Sequence, residues 1–276
     1  MTLIKRTFLF AVILLVFLLS ADLSKAEEPR AIRSAILFDM TTDRTLYTYN
    51  ADAPVQPASI TKVLSLYIAT EAILKGSVGP GDPVKISRKA GRTNGSKMFL
   101  KAGSTIPLKE LLEGMAVVSA NDASVAVAEY IGGNVEGFVK RMNRKARELG
   151  MTGSLFVNPN GLPAKGQVTT ARDVMTLACD YLRRFPDSLD IHSRQYFTYR
   201  DITQHNHNNL LALYPDVDGL KTGWVRRAGY HIIATAKRDN TRLIAVVMGA
   251  KNPAIRTRET ERLLDEGFRM VRENRG

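Results

Sequence analysis

The chain of 276 residues predicts an α+β fold: an antiparallel sheet flanked by helices, with strands drawn from both chain ends and a mostly helical lobe inserted between them. Three observations carry that prediction. Residues 32–38 and 45–50 near the start, and 230–236 and 242–249 near the end, are rich in β-branched and aromatic residues. Residues 107–184 instead repeat apolar positions at helical spacing. No internal repeat or low-complexity tract interrupts this order.

The first 26 residues differ in kind. Lys5 and Arg6 precede an unbroken apolar run over 8–19, and Ser24-Lys25-Ala26 places small residues at the −3 and −1 positions of a cleavage site. This reads as a secretory signal peptide covering 1–26, with 27–276 as the exported domain, soluble in the periplasm or another extracytoplasmic envelope space. The run is short for a membrane span, so a retained anchor is the weaker alternative. Cys179 is the single cysteine, which excludes an intrachain disulfide and leaves the core to hold the exported fold. Its apolar helical setting marks it as a buried structural residue. The net charge of +12 would draw the protein to anionic polymers such as cell wall or lipid headgroups, or else reflects a solvated basic surface. The export signal argues against a nucleic acid partner.

Taken in order, residues 32–38 form a strand, Thr41-Thr42-Asp43-Arg44 a turn, and 45–50 the returning strand. A long helix follows from Ser59, with Ile60, Val63, Leu64, Tyr67, Ile68 and Ile73 at helical spacing and Gly76 as its stop. Residues 79–83 are a loop and 84–87 a short extended piece. The glycine-punctuated stretch 88–106 predicts irregular structure. Pro107 starts a helix whose stripe is Leu108, Leu111, Leu112, Met115 and Val118. Further helices span 121–131, closed by Gly132-Gly133; 135–149, closed by Gly150; and 169–184, with Thr170 as N-cap and Pro186 beyond its end. The helical lobe thus covers roughly 88–200. The hairpin 230–249 turns at Asp239-Asn240, and a closing helix runs over 259–271.

Three short elements carry chemistry. Ser59-Ile60-Thr61-Lys62 puts a hydroxyl at a helix start and an amine one turn on, on the same face. A serine attacks only when a base takes its proton, and a lysine can do so only when burial and neighbouring cations keep it neutral. Ser119-Ala120-Asn121 falls in the break between two helices, offering a second hydroxyl and an amide. Lys221-Thr222-Gly223 precedes the hairpin, which places it at a sheet edge with a charge, a hydroxyl and room for close backbone approach. Each element is weak alone; the three in this order are a strong signal.

With intervals of 60 residues from Ser59 to Ser119 and 102 from Ser119 to Lys221, the chain resembles the penicillin-recognising serine enzymes, most closely the low-molecular-weight D-alanyl-D-alanine carboxypeptidases. The likeness covers most of 31–272. It includes Gly95-Ser96-Lys97-Met98-Phe99-Leu100, Ser119-Ala120-Asn121-Asp122-Ala123, Met142-Asn143, Asn158-Pro159-Asn160-Gly161-Leu162, Asp218-Gly219-Leu220-Lys221-Thr222-Gly223 and Val246-Val247-Met248-Gly249-Ala250. The resemblance implies a β-lactamase/transpeptidase-like fold of two lobes. It implies Ser59 as acylating nucleophile, Lys62 as its base, and Ser119 with Lys221 as the route of the proton to the leaving amine. Asn121 would hold the substrate amide, and the backbone N–H groups of Ser59 and Trp224 would form the oxyanion hole. Thr222 and Gly223 would flank the substrate, with Thr222 and Arg256 binding its terminal carboxylate.

It further implies peptidoglycan stem peptides as substrate, β-lactams as covalent inhibitors, and no cofactor. Trp224-Val225-Arg226-Arg227 departs from the family, which often has a hydroxyl residue after the aromatic. The β-rich domain and amphipathic membrane helix of many relatives have no counterpart in the sequence, so no permanent C-terminal membrane anchor is expected. A D,D-endopeptidase with the same parts stays open. A β-lactamase would need a deacylating glutamate, and 155–160 contain none. A catalytically silent wall-binding module has no use for both lysines. His205-Asn206-His207 lacks the acidic or cysteine neighbours of a zinc site, so no metal is expected, and these side chains fit a cleft wall or the surface.

Overall fold

The computed structural model describes residues 31–273, so the signal segment 1–26 lies outside the described residues. The first strands form as the sequence predicts: β1 (Ser34–Asp39) and β2 (Arg44–Tyr49) pair antiparallel. A 3₁₀ turn, Ala58–Ile60, then leads into α1 (Thr61–Leu74). Ser59 therefore sits in a tight turn just before the helix. Every residue of α1 from Thr61 to Ala69 is buried, the behaviour of a helix enclosed on all sides.

The short extended piece expected at 84–87 appears as β3 (Pro83–Lys85), whereas the irregular run expected over 88–106 holds one turn of helix, α2 (Arg88–Gly91), and the start of β4 (Thr105–Pro107), which pairs with β3. Ser87 caps that turn by accepting from the Ala90 N–H. Elements this short leave no periodicity to read. The helical block follows as predicted: α3 (Leu108–Val117), α4 (Asn121–Gly132), α5 (Val135–Glu148) and α6 (Ala171–Arg184). Thr170 caps α6 by accepting from the Asp173 N–H. Cys179 is buried on α6, and burial pushes its thiol up to about 12.

A short helix α7 (Leu189–His192), the hairpin β5 (Tyr196–Tyr199) and β6 (Ile202–His205), and α8 (Leu210–Leu213) lead back to the sheet. There β7 (Val217–Val225), β8 (Gly229–Arg238) and β9 (Thr241–Ala250) complete the order β2-β1-β9-β8-β7, antiparallel throughout. β7 is the edge strand, as its position before the hairpin predicts. The closing helix α9 (Pro253–Glu273) starts six residues earlier than expected, because Asn252 accepts from the Ile255 N–H and Pro253 opens the first turn.

The sheet is buried on both faces, and the alternation along β9 shows how. Leu243, Ala245 and Val247 pack toward Leu263, Leu264 and Phe268 of α9. Ile244, Val246 and Met248 belong to the opposite core, shared with α1 and α3–α6. Two-sided burial explains why these strands read as continuous apolar runs. Among the described residues, no helix is long and apolar enough to cross a membrane.

Candidate active site

The seam where α1, the α3–α4 junction and β7 meet holds the predicted residues. Packing places each one. Ala58 adopts φ +48°, turning the chain so that Ser59 faces the cleft. Gly161 lies against that turn: a Cβ there would stand 1.8 Å from the Ala58 carbonyl oxygen. Gly223 on β7 approaches from the other side, where a Cβ would meet the Ser59 nitrogen at 3.1 Å. Two glycines thus let three backbones converge on one serine.

Lys62 is fully buried, with Nζ 3.0 Å from Ser59 Oγ. The amine also donates to Asn121 Oδ1 at 2.7 Å and to the Asn160 carbonyl at 2.8 Å. Burial first, then the charge of Lys221, hold its pKa well below that of a free lysine, against a smaller opposing pull from Asp122. A neutral amine has two N–H donors and one lone pair. Both donors have partners, which leaves the lone pair for the Ser59 hydroxyl.

Ser119, at φ +60° between α3 and α4, carries a buried hydroxyl with no hydrogen-bond partner among the described residues. Asn121 donates from Nδ2 to the Asn94 carbonyl at 2.7 Å, which together with Lys62 fixes the orientation of its amide. Asp122 is buried and accepts from the Met98, Leu100 and Ala123 N–H groups, tying the 96–100 segment to α4. On β7, burial and Arg256 push Lys221 down to about 7, and its amine donates to the Thr222 carbonyl. Arg256, in the first turn of α9, is 6% exposed, and its Nε has no partner among the described residues.

Ser59, Ser119, Thr222, Gly223, Trp224 and Arg256 line one cleft of about 450 Å³. Lys62, Asn121 and Lys221 stand behind its wall, joined to it through Ser59, the α3–α4 junction and β7. Among the described residues, no aspartate or glutamate lines the cleft. Trp224 is 52% exposed and packs against Tyr230.

His205 and His207 line the cleft, one of the two placements expected from the sequence, and desolvation, followed by Lys221, Lys62 and Arg256, pushes His207 down to about 4. Other participants were not visible in the sequence. Ser96 lines the opposite lip. Buried His192 on α7 bridges the Leu220 carbonyl (Nδ1, 2.9 Å) and the Tyr181 hydroxyl (Nε2, 3.2 Å). The carbonyl can only accept, so Nδ1 carries the proton and Nε2 accepts from Tyr181. Asn208 donates to the adjacent Gly219 carbonyl at 3.2 Å. Both contacts hold the edge strand immediately before Lys221. Nothing in a lone histidine or asparagine at these positions signals that task. Among the described residues, no group of three or more His, Cys, Asp or Glu is placed to hold a metal.

A serine beside a buried amine whose affinity for protons is lowered, with a second hydroxyl and Arg256 in the same cleft, is the equipment of a serine acyl-transfer hydrolase. The chain belongs to the D-alanyl-D-alanine carboxypeptidase family, whose model matches residues 23–252. It is 38% identical over 272 residues to the D-alanyl-D-alanine carboxypeptidase DacF of Bacillus subtilis (strain 168), covering 95% of this chain and 70% of that one. Penicillin binding protein 5 from Haemophilus influenzae superposes with a TM-score of 0.84 at 36% identity, over 89% of this chain and 73% of the other. Penicillin-binding protein D2 from Listeria monocytogenes, in an ampicillin-bound form, matches with a TM-score of 0.80 at 27% identity, over 88% of this chain and 100% of that one. The chain spans between 60% and 71% of the length of the curated carboxypeptidases it matches.

Proposed function

We propose that the protein is a serine-type D-alanyl-D-alanine carboxypeptidase that removes the terminal D-Ala from peptidoglycan stem pentapeptides and is acylated by β-lactams at Ser59. One observation carries the proposal: both donors of the Lys62 amine are engaged by Asn121 and Asn160, and its nitrogen faces the Ser59 hydroxyl at 3.0 Å. Lys62 takes the Ser59 proton as Oγ attacks the penultimate carbonyl carbon. The Ser59 and Trp224 backbone N–H groups stabilise the oxyanion. The proton passes by way of Ser119 and Lys221 to the departing D-Ala nitrogen as the C–N bond breaks, and water then hydrolyses the ester. The unpartnered Ser119 hydroxyl and Arg256 Nε both suit this scheme, one as relay and one, with Thr222, as the carboxylate's partner. Asn121 has a second amide N–H for the substrate backbone. The cleft offers no carboxylate to activate a deacylating water against a penicilloyl ester, which supports β-lactams as inhibitors rather than substrates.

The same reading places a signal peptide at 1–26, the catalytic domain at 27–276 and the protein in the periplasm or another extracytoplasmic part of the envelope. The activity is tested by product analysis on two substrates, a synthetic pentapeptide ending in D-Ala-D-Ala and a cross-linked muropeptide dimer. Release of free D-Ala from the pentapeptide, with the dimer cut far more slowly, is the expected result. Preferential cutting of the dimer would make the protein an endopeptidase.

A further inference from the structure

The segment from Pro83 to Lys109 carries seven lysines and arginines and no aspartate or glutamate, so it holds over half of the chain's net charge of +12 in a tenth of its length. Its middle, residues 94–96, reaches the cleft and forms part of one lip. Asn94 takes the Asn121 amide, Ser96 lines the cleft, and the Asn121 N–H donates to the Ser96 carbonyl at 2.7 Å. Arg92 and Lys97 flank this contact within two residues on either side. Asp122 holds the Met98 and Leu100 N–H groups, and Gln204 of β6 donates to the Lys97 carbonyl. Between those anchors, Phe99 is held at φ +61° with its ring 52% exposed and Lys97 over its face. Arg88, Lys89, Arg92 and Lys101 are exposed. Their acidic surroundings are thin. Glu136 reaches Lys89 at 3.9 Å, and Asp82 is occupied by Tyr130 and the Gly79 N–H.

We infer that this basic lip is a docking surface for polymeric peptidoglycan, gripping the carboxylate-bearing strand to which the peptide in the cleft is attached. The inference rests on the carboxypeptidase function proposed above and deepens it. Continuity favours this occupant. A peptide seated at Ser59 is tethered at its other end, and the lip beside Asn121 is built into the cleft itself. Un-crosslinked stem peptides supply a row of carboxylates; among the described residues the cleft lining holds Arg256 and no aspartate or glutamate, and the segment 83–109 itself contains neither. An exposed aromatic held rigidly between two anchors adds an apolar contact for a sugar ring or peptide chain. The lip thus gives the enzyme a preference for polymer over free peptide.

The test uses a triple variant, Arg88→Gln, Arg92→Gln and Lys101→Gln, against a control of equal charge change on exposed positions of α5, Lys140→Gln, Arg141→Gln and Arg147→Gln. D-Ala release is measured on a soluble pentapeptide and on purified un-crosslinked peptidoglycan, at about 20 and about 300 mM salt. The lip variant should raise KM for the polymer by about tenfold at low salt while leaving the soluble peptide unchanged, and the difference should shrink at high salt. The α5 control should behave as wild type. Equal losses on polymer and peptide, or equal losses in the two triple variants, would overturn the inference. Co-sedimentation of Ser59→Ala protein with the same polymer, with and without the lip changes, tests docking without turnover. If that protein instead binds phosphatidylglycerol vesicles and not the polymer, the lip is a membrane surface and the inference fails. Failure of wild type to release D-Ala from the soluble peptide would refute the carboxypeptidase function and leave the co-sedimentation result standing on its own.

Discussion

The interior of the sheet and the seam beside it are equally buried and differ in almost every other respect. On β8 and β9, burial is mostly apolar: Ile232, Ile233, Ile244, Val246 and Val247 are shut away, the ladder accounts for the backbone, and the buried polar His231 and Thr235 side chains have partners. At the seam, Lys62, Lys221, Arg256, Ser119 and Asn121 are buried together. Two of them keep polar atoms without partners. Burial first, and then the neighbouring basic groups, lowers the affinity of both lysines for protons. The sheet spends its burial on stability. In the proposed mechanism the seam converts burial into reactivity, and a stable scaffold surrounds it.

The largest expected effect of breaking this contrast is at Lys62. Lys62→Met keeps the volume and removes the base, so acylation by penicillin should slow by about 10²–10⁴-fold, measured by stopped-flow or quenched mass spectrometry. Stability should move differently. The folded-state pKa of Lys62 lies below its unfolded value, so the unfolded chain binds the extra proton. The wild type is therefore penalised as pH falls below the ordinary lysine value of 10.5. The Tm of the Met variant relative to wild type should rise as pH drops from 10 to 7, taken as an approximate working window. A pH-independent difference would mean that Lys62 is not held neutral.

A smaller loss is expected at Arg256. A charge-assisted pair in a partly dry cleft is worth about 1.5–3 kcal/mol. Arg256→Ala should therefore lower kcat/KM on a free-acid D-Ala-D-Ala peptide by about ten- to a hundredfold. A peptide with an amidated terminus should start as a poor substrate and change little. Equal losses on both would make Arg256 a structural residue.

The smallest effect on activity belongs to the sheet. Leu243→Ala, at a fully buried position of β9 facing α9, should cost about 2–5 kcal/mol in chemical unfolding. The acylation rate per folded molecule should stay at the wild-type value. A rate loss matching that of a seam variant would erase the distinction between the two regions.

Much of this was readable from residues alone. The sheet strands showed as stretches rich in β-branched and aromatic residues, and α3 to α6 showed as helical stretches with an apolar stripe, glycine stops or a cap. The motif residues were legible because the chemistry needs those side chains in that order. What escaped had no local signature. The hairpin Tyr196–His205 alternates over four residues per strand, and its turn uses Arg200 at φ +52° where glycine or asparagine would have announced it. The start of α9 was hidden because its first turn buries an arginine, which breaks the apolar pattern. His192, Asn208 and Gln204 act on carbonyls that are distant in sequence. Only folding shows what they hold.

The central claim is that burial at the seam arms Ser59, and the intact mass of the protein after exposure to penicillin tests it most directly. Wild type should gain one penicilloyl mass, mapped by peptide digestion to Ser59, and Ser59→Ala should gain none. A full adduct on Ser59→Ala, or an adduct mapped to another residue in wild type, would contradict the account.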